Sequence, residues 1–169
     1  LGVGVMSAAL KKGKLDIDGY ARLVATTTRL NKPGTALAEL PGVHAITDVT
    51  GFGLAGHALE LGRGAGLGVM IRWSKVPVLP GVAEMVQNGF VTGASGRNWA
   101  GYGVEVLLDG TLPAVARDLL TDPQTSGGLL VSCTPDSVKD VVGVFREQGF
   151  DAAAPIGAMR DGVGLRIIP

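Results

Sequence analysis

The chain has 169 residues, of which 46% are hydrophobic and 18% are charged. This composition provides enough apolar surface for a folded domain and argues against an intrinsically disordered chain. The 15 Lys and Arg residues balance the 15 Asp and Glu residues, which argues against an extended nucleic-acid interface. No apolar run approaches the roughly 18 residues of a membrane-spanning helix. A single cysteine, Cys133, excludes an intrachain disulfide. We therefore expect a cytoplasmic protein that binds neither membranes nor nucleic acid.

The first half of the chain is predicted to alternate between helices and strands. Apolar residues recur at helical spacing in some segments, and short apolar runs bounded by turn residues indicate strands in others. The predicted elements are an extended segment at 1–9, helices at 19–30 and 33–40, a strand at 43–47, a helix from about 50 to 61 that stops at Gly62, and a strand at 67–73.

The second half continues the alternation, and the 27 glycines mark turns between its short elements. The predicted elements are a helix at 81–88, a polar glycine-rich loop at 91–103, a strand at 104–108, a helix at 112–120, a tight loop at 124–128, a strand at 129–133, a helix from about 135 to 148, and final strands at 153–158 and 165–168. This order predicts an α/β (α+β) fold, with a mixed β-sheet covered by helices and one domain over residues 1–169.

One stretch with a chemical use follows the strand that ends before Asp48. Its sequence is ITDVTGFGLAGH, residues 46–57, and Thr50, Gly51 and Gly53 lie where a helix begins. The N-terminus of a helix offers free N–H groups to phosphate oxygens, and glycine lets the backbone approach them closely. Asp48 beside it would suit Mg²⁺, which prefers carboxylate, water and phosphate ligands. An ordinary helix cap by Asp48 explains the same pattern.

A second stretch, DPQTSGGLL at residues 122–130, places hydroxyl groups and two glycines directly before a buried strand. Such residues can bind an anion or a nucleotide, and they are equally common in turns. Its candidate binding residues are Thr125, Ser126, Gly127 and Gly128.

Other polar residues carry weaker signals. His57 falls on or beside the apolar stripe of its helix and is expected to be a buried, hydrogen-bonded histidine, whereas His44 is expected at the surface. Cys133 ends an apolar strand and should behave as a small buried hydrophobic residue. Arg97 and Asn98 could reach a phosphate or could serve only at the surface.

Taken together, ITDVTGFGLAGHALEL and DPQTSGGLLVS closely resemble the C-terminal half of the selenophosphate synthetase (selenide, water dikinase) family. The strings LGVGVMSAALKKG, TTRLN, LPGVAEMVQNG and SGRNWAGYG occur in the same order as in that family, so the resemblance covers nearly the whole chain. It implies the C-terminal α/β domain of an aminoimidazole ribonucleotide synthetase-like enzyme, in which ATP lies between this domain and an N-terminal dimerising domain.

The resemblance also implies specific roles and partners. Asp48 matches a carboxylate that helps hold Mg²⁺ on the ATP phosphates, and Thr50, Gly51, Gly53, Asn98 and residues 125–128 become candidate nucleotide-binding positions. The family's nucleophilic Cys or selenocysteine, its Lys and its other metal-binding Asp residues would precede this chain. We therefore expect an enzyme that makes selenophosphate, AMP and phosphate from ATP, selenide and water, as a homodimer when complete, and an inactive isolated chain. The alternatives are another enzyme of the same superfamily or a non-enzymatic nucleotide-binding or interaction module.

Overall fold

The computed structural model describes residues 1–169 and contains eight α-helices, three short 3-10 turns and six strands. The helices are α1 (Val3–Lys11), α2 (Ile17–Thr27), α3 (Pro33–Ala38), α4 (Gly53–Ala65), α5 (Val82–Gln87), α6 (Gly93–Tyr102), α7 (Val115–Leu120) and α8 (Val138–Glu147). The strands are β1 (Val43–Asp48), β2 (Gly68–Arg72), β3 (Val106–Leu108), β4 (Leu129–Cys133), β5 (Gly157–Arg160) and β6 (Leu165–Ile168). No helix is both long and apolar enough to cross a membrane.

The strands form two separate sheets rather than one. In the first, β1 and β4 pair antiparallel. The second has the order β3-β6-β2-β5, in which β6 lies parallel to both β3 and β2 and β5 lies antiparallel to β2. The larger sheet is therefore mixed, as predicted, and the α/β class is confirmed.

The prediction of an extended segment at 1–9 is wrong, because residues 3–11 form α1. The alternation of glycine and valine at the start of the chain imitates a strand pattern. The helix is stabilised by distant residues: Val3, Val5 and Met6 are almost fully buried in an apolar cluster shared with α2, α5 and α7. Such tertiary burial overrides local propensity.

The predicted loop at 91–103 is also wrong, because most of it forms α6. Three glycines and several polar residues lower its helix propensity. Thr92 nevertheless caps the helix, since its side chain accepts a hydrogen bond from the N–H of Ser95 at 3.1 Å. The N-cap residue Thr92 is the signal that could have revealed the start of α6 from sequence.

The helix after β1 is α4, and it continues one turn beyond the predicted stop. It passes through Gly62 and ends at Gly66, which has the left-handed φ of 67° typical of a glycine after a helix. Gly62 is buried beside the carbonyl oxygen of Leu67, which a Cβ atom would approach to 2.8 Å. Gly62 is therefore needed for packing rather than for termination.

Three apolar clusters hold the elements together. The largest lies between α4 and the four-stranded sheet and includes Leu59, Ile71 and Ile167. The second surrounds α1, and the third packs α3 and α8 against the two-stranded sheet. Because α4 starts directly after β1 and packs on both sheets, the short loop between them is held at the C-terminal end of β1.

Candidate functional site

The two stretches singled out in the sequence meet because β1 and β4 are paired. Asp48 is the last residue of β1 and lies opposite the first residue of β4. Just beyond the ladder, the N–H of Val49 donates to the carbonyl of Gly128 at 2.9 Å. The N–H of Gln124 donates to the carbonyl of Thr50 at 3.0 Å. The fold thus holds both candidate loops side by side through backbone hydrogen bonds.

Asp48 has the properties of a carboxylate available to a ligand. Its side chain is exposed, and it forms neither a hydrogen bond nor an ion pair with another residue of the chain. It does not cap α4, because the capping position is Phe52 and no side chain accepts a hydrogen bond there. The chain contains no group of three or more His, Cys, Asp or Glu residues that could hold a metal ion. Asp48 therefore offers one carboxylate of the kind that Mg²⁺ prefers, and not a complete metal site.

Thr50, Gly51 and Gly53 differ in how open their surroundings are. Gly51 is exposed, and a Cβ atom there would meet nothing within 4 Å. Gly53 is buried with φ 69°, and a Cβ atom would lie 2.7 Å from the carbonyl oxygen of Leu120. The need for glycine at position 53 thus comes from its left-handed backbone and from close packing. Gly51 is the position where the backbone is open to a ligand.

The loop at 124–128 is partly exposed and partly anchored. Thr125, Ser126 and Gly128 are exposed, and Ser126 has a φ of 49°, the only positive φ outside glycine. Gly127 is buried, and a Cβ atom there would lie 1.7 Å from the carbonyl oxygen of Val49. Glycine is required at position 127 because of this close approach, while Thr125 and Ser126 before it are exposed.

Asn98 holds the first loop from the side of α6. Its Nδ2 atom donates to the carbonyl of Gly51 at 2.8 Å and to the carbonyl of Thr121 at 3.0 Å. Tyr102, one turn later, donates its hydroxyl to the carbonyl of Phe52 at 2.5 Å. Burial raises the pKa of Tyr102 to about 12, so the phenol stays protonated and remains a donor. Only the oxygen of the Asn98 amide is left for a ligand, and Arg97 beside it is exposed.

His57 is a buried and hydrogen-bonded histidine, as predicted. Its Nδ1 atom lies 2.8 Å from Glu60 Oε2, and its Nε2 atom lies 3.3 Å from the Thr50 hydroxyl. The histidine thereby holds the hydroxyl group of Thr50, two residues after Asp48. His44 is exposed. Cys133 is half-buried and burial raises the pKa of its thiol, so the reactive thiolate is disfavoured.

The start of the second stretch has a role that the sequence pattern did not indicate. Asp122 Oδ2 accepts hydrogen bonds from the N–H groups of Gly4 and Val5, at 3.0 and 3.3 Å. Gln124 Oε1 accepts hydrogen bonds from the N–H groups of Gly2 and Val3, at 3.1 and 3.2 Å. Two side chains from the far end of the chain therefore bind all four free N–H groups at the start of α1.

Asp122 is fully buried in this arrangement, and burial raises its pKa to about 6 despite the hydrogen bonds that favour the ionised form. Its Oδ1 atom has no hydrogen-bond partner. A Cβ atom on Gly4 would lie 2.3 Å from this oxygen, so glycine at position 4 is what lets the carboxylate approach the helix. No periodicity could have indicated this contact, because 118 residues separate its partners.

Solved structures with this fold include the hydrogenase maturation protein HypE of E. coli, with a TM-score of 0.70 and 20% identity over 99% of this chain and 43% of HypE. Thiamine-monophosphate kinase of Stenotrophomonas maltophilia matches with a TM-score of 0.63 and 16% identity, over 99% of this chain and 47% of the kinase. These similarities define the class of fold, a mixed α/β domain that forms part of longer proteins.

The chain belongs to the family described as AIR synthase related protein, C-terminal domain, which matches residues 1–168. Curated relatives are named selenide, water dikinase. The protein of Burkholderia pseudomallei is 65% identical over 96% of this chain, and that of Rhizobium meliloti is 47% identical over the same share. The matched region is 46% of the length of each relative. The family resemblance inferred from sequence is confirmed, and the chain spans less than half the length of these relatives.

Proposed function

We propose that the chain is the C-terminal part of an ATP-dependent selenophosphate synthetase, which converts ATP, selenide and water into selenophosphate, AMP and phosphate. The observation that carries the proposal is the free Asp48 carboxylate beside two loops with exposed backbone and hydroxyl groups. The relatives that share 47 to 65% of the residues and bear the name selenide, water dikinase support it.

In this proposal Asp48 is a Mg²⁺ ligand, and Mg²⁺ when bound would neutralise charge on the phosphates of ATP. The residues of this chain provide position and polarity. Gly51 offers an open approach to the backbone, and Thr125 and Ser126 are exposed hydroxyl-bearing residues in the neighbouring loop. The Asn98 amide group holds the Gly51 carbonyl, which keeps the first loop in place.

The proposal also requires groups from the rest of the longer protein. Phosphoryl transfer requires several carboxylates around the metal ions, and this chain supplies one, so the nucleophile, a Lys and the other carboxylates would come from an N-terminal part. ATP would lie between that part and Thr50, Gly51, Gly53, Asn98 and the loop at 125–128. The homodimer, the cytoplasmic location and the single domain over 1–169 stay predictions, as does the absence of nucleic-acid and membrane binding.

The full-length protein tests the proposed activity directly. With ATP and Mg²⁺, we expect AMP to form only when selenide is added, together with a phosphorus species in which selenium is bonded to phosphorus, visible by ³¹P nuclear magnetic resonance. Stable ATP binding without selenide-dependent AMP would instead support the non-enzymatic alternative. Transfer from ATP to a different acceptor would support another enzyme of the superfamily.

Residues 1–169 alone are expected to be inactive under the same conditions. We also expect them to bind ATP and Mg²⁺ no more tightly than about millimolar, because a small-ligand site usually encloses most of its ligand and one wall would be missing. Calorimetry measures this affinity, with circular dichroism as the control for folding. Micromolar affinity would mean that this chain contains a complete site, which contradicts a shared one.

A further inference from the structure

A large apolar cleft separates the two sheets. Its volume is about 440 Å³, and 26 of its 36 lining residues are hydrophobic. All five residues of β4 line one side, and Gly157, Ala158 and Met159 of β5 line the other. The cleft is therefore bounded by two strand edges.

The β4 edge presents unpaired backbone groups to this cleft. Pairs that exchange hydrogen bonds alternate along an antiparallel ladder. Val49 and Gly128 are a hydrogen-bonded pair, so along β4 the backbone groups of every second residue after Gly128 are directed toward β1. β4 has no strand partner other than β1. The N–H and C=O groups of Leu129, Val131 and Cys133 are thereby directed into the cleft.

The β5 edge is arranged in the same way. The N–H of Arg72 donates to the carbonyl of Ile156 at 2.8 Å, which is a hydrogen-bonded position of the β2–β5 ladder. Alternation from that position directs the backbone groups of Gly157 and Met159 away from β2. β5 has no other strand neighbour. Two rows of donors and acceptors thus border one space, as they would on either side of a strand.

Helices cover both faces of this space. Leu54, Ala58 and Leu61 of α4 line one face, and residues of α8, among them Val141 and Phe145, line the other. β4 lies between these layers, yet each of its residues is only half-buried. A strand placed in the cleft would be covered on both faces and should carry apolar side chains on both, as in the interior of an α/β sheet.

The start of the chain lies at one end of the cleft. The Leu1 nitrogen donates to the Pro77 carbonyl at 2.6 Å, and Leu1 itself lines the cleft. Pro77 follows β2 in the chain. Gln124, whose side chain accepts a hydrogen bond from the N–H of Gly2, precedes β4. Polypeptide that enters through Leu1 would therefore arrive at the end of the cleft where β4 and β5 begin.

We infer that about five residues immediately before Leu1 in the longer protein form a β-strand between β4 and β5, antiparallel to both. It joins the two sheets into one with the order β1-β4-new strand-β5-β2-β6-β3. The new strand runs parallel to β1 and ends at the same edge of the sheet as Asp48. The inference shares with the proposed function only the premise that the chain is part of a longer protein.

Hydrogen–deuterium exchange on the full-length protein tests the inference, with its oligomeric state measured in the same samples. We expect the amides of 129–133, of 157–160 and of the segment before Leu1 to exchange at least about a hundredfold more slowly than unstructured chain. The matched internal reference is β6, which has a strand on each side. Fast exchange at the cleft-facing amides of β4 and β5, with β6 protected, would overturn the inference.

The occupant of the cleft is also distinguished by this measurement. Protected edges beside a rapidly exchanging segment before Leu1 would mean that another part of the protein fills the cleft. Protection that disappears when an oligomer is diluted to monomers would mean that a second copy fills it. Either result contradicts the assignment to the preceding segment.

A pair of substitutions gives an independent readout in the full-length protein. Ala158 and Ala100 are both exposed in residues 1–169, but only Ala158 lines the cleft. We expect Ala158→Asp to lower the unfolding midpoint by at least about 5 °C more than Ala100→Asp, because a covered strand would bury the charge. Equal midpoints would contradict the inference.

Measuring enzyme activity in the same preparations distinguishes failure of the inferred strand from failure of the proposed function. A preparation with selenide-dependent AMP formation and open β4 and β5 edges would overturn the strand alone. A preparation with protected edges and no such activity would overturn the function alone.

Discussion

Two aspartates in the glycine-rich stretches have opposite surroundings. Asp48 is exposed at the end of β1 and has no partner in the chain, whereas Asp122 is fully buried and caps α1 across the fold. Both lie within strings typical of the selenophosphate synthetase family. The difference shows that membership of a motif does not distinguish a carboxylate available to a ligand from one that stabilises the fold.

The two loops beside these aspartates differ in a similar way. In the first, Gly51 is open to approach, and in the second, Gly127 is pressed against the backbone of β1. Each stretch thus combines residues that hold the fold with residues that face outward. Separating these roles by substitution is the sharpest test of the site.

The largest effect is expected for Asp48→Asn in the full-length protein. If Asp48 is a charged metal ligand, the amide removes an electrostatic contact, and kcat should fall at least about a hundredfold. The unfolding midpoint should stay unchanged, because the side chain has no partner to lose. A variant with normal turnover, or one that loses stability instead of activity, would contradict the proposed role. Selenide-dependent AMP formation and calorimetry provide the two measurements.

Gly127→Ala is expected to destabilise the protein by about 3 kcal/mol, because the new Cβ atom would overlap the Val49 carbonyl and force a backbone shift. Gly51→Ala is the matched control, since its Cβ atom would meet nothing and stability should change by less than about 0.5 kcal/mol. Urea unfolding measures both free energies. If Gly51 approaches the nucleotide, its alanine variant should raise the KM for ATP despite normal stability. Equal destabilisation of the two variants would argue against this division.

Asp122→Ala is expected to lower the free energy of unfolding by about 2 kcal/mol, because two N–H groups at the start of α1 lose their acceptor. Asp122→Asn should cost less, since the amide oxygen can still accept. Urea unfolding of the full-length proteins measures the difference, and exchange of the α1 amides locates it. An alanine variant with wild-type stability and reduced turnover would instead place Asp122 in the chemistry.

A final expected effect concerns pH. The folded-state pKa of Asp122, about 6, lies above the ordinary value of 3.8. At a pH between these two values, the folded protein therefore binds a proton that the unfolded chain does not bind. The contribution of Asp122 to stability should therefore increase as pH falls from about 6 to about 4, by up to about 2 kcal/mol. The difference in unfolding free energy between wild type and Asp122→Asn isolates this contribution. A difference that is constant over this range, or that changes in the opposite direction, would mean that the pKa is not raised.

The sequence by itself determined the elements whose signals are local. β1 and β4 are short apolar runs, α2 and α8 carry apolar stripes at helical spacing, and their positions are confirmed within a few residues. The family was also evident from sequence strings along the chain, and the comparisons confirm it. Asp48, Thr50, Gly51, Gly53, Asn98 and residues 125–128 were singled out as candidates. Their roles toward metal and nucleotide stay predictions.

Only the tertiary structure decided the features that depend on distant partners. α1 was missed because its alternation of glycine and valine imitates a strand, and α6 because glycines and polar residues weaken its local signal. Burial in the case of α1, and hydrogen bonds to other elements in the case of α6, stabilise these helices. The roles of Asp122 and Gln124 as caps were invisible because their partners lie more than 100 residues away in sequence. The open edges of β4 and β5 likewise emerge only when strand pairing is known. Local periodicity reports which face of an element is apolar, whereas the fold decides what that face and its free backbone groups contact.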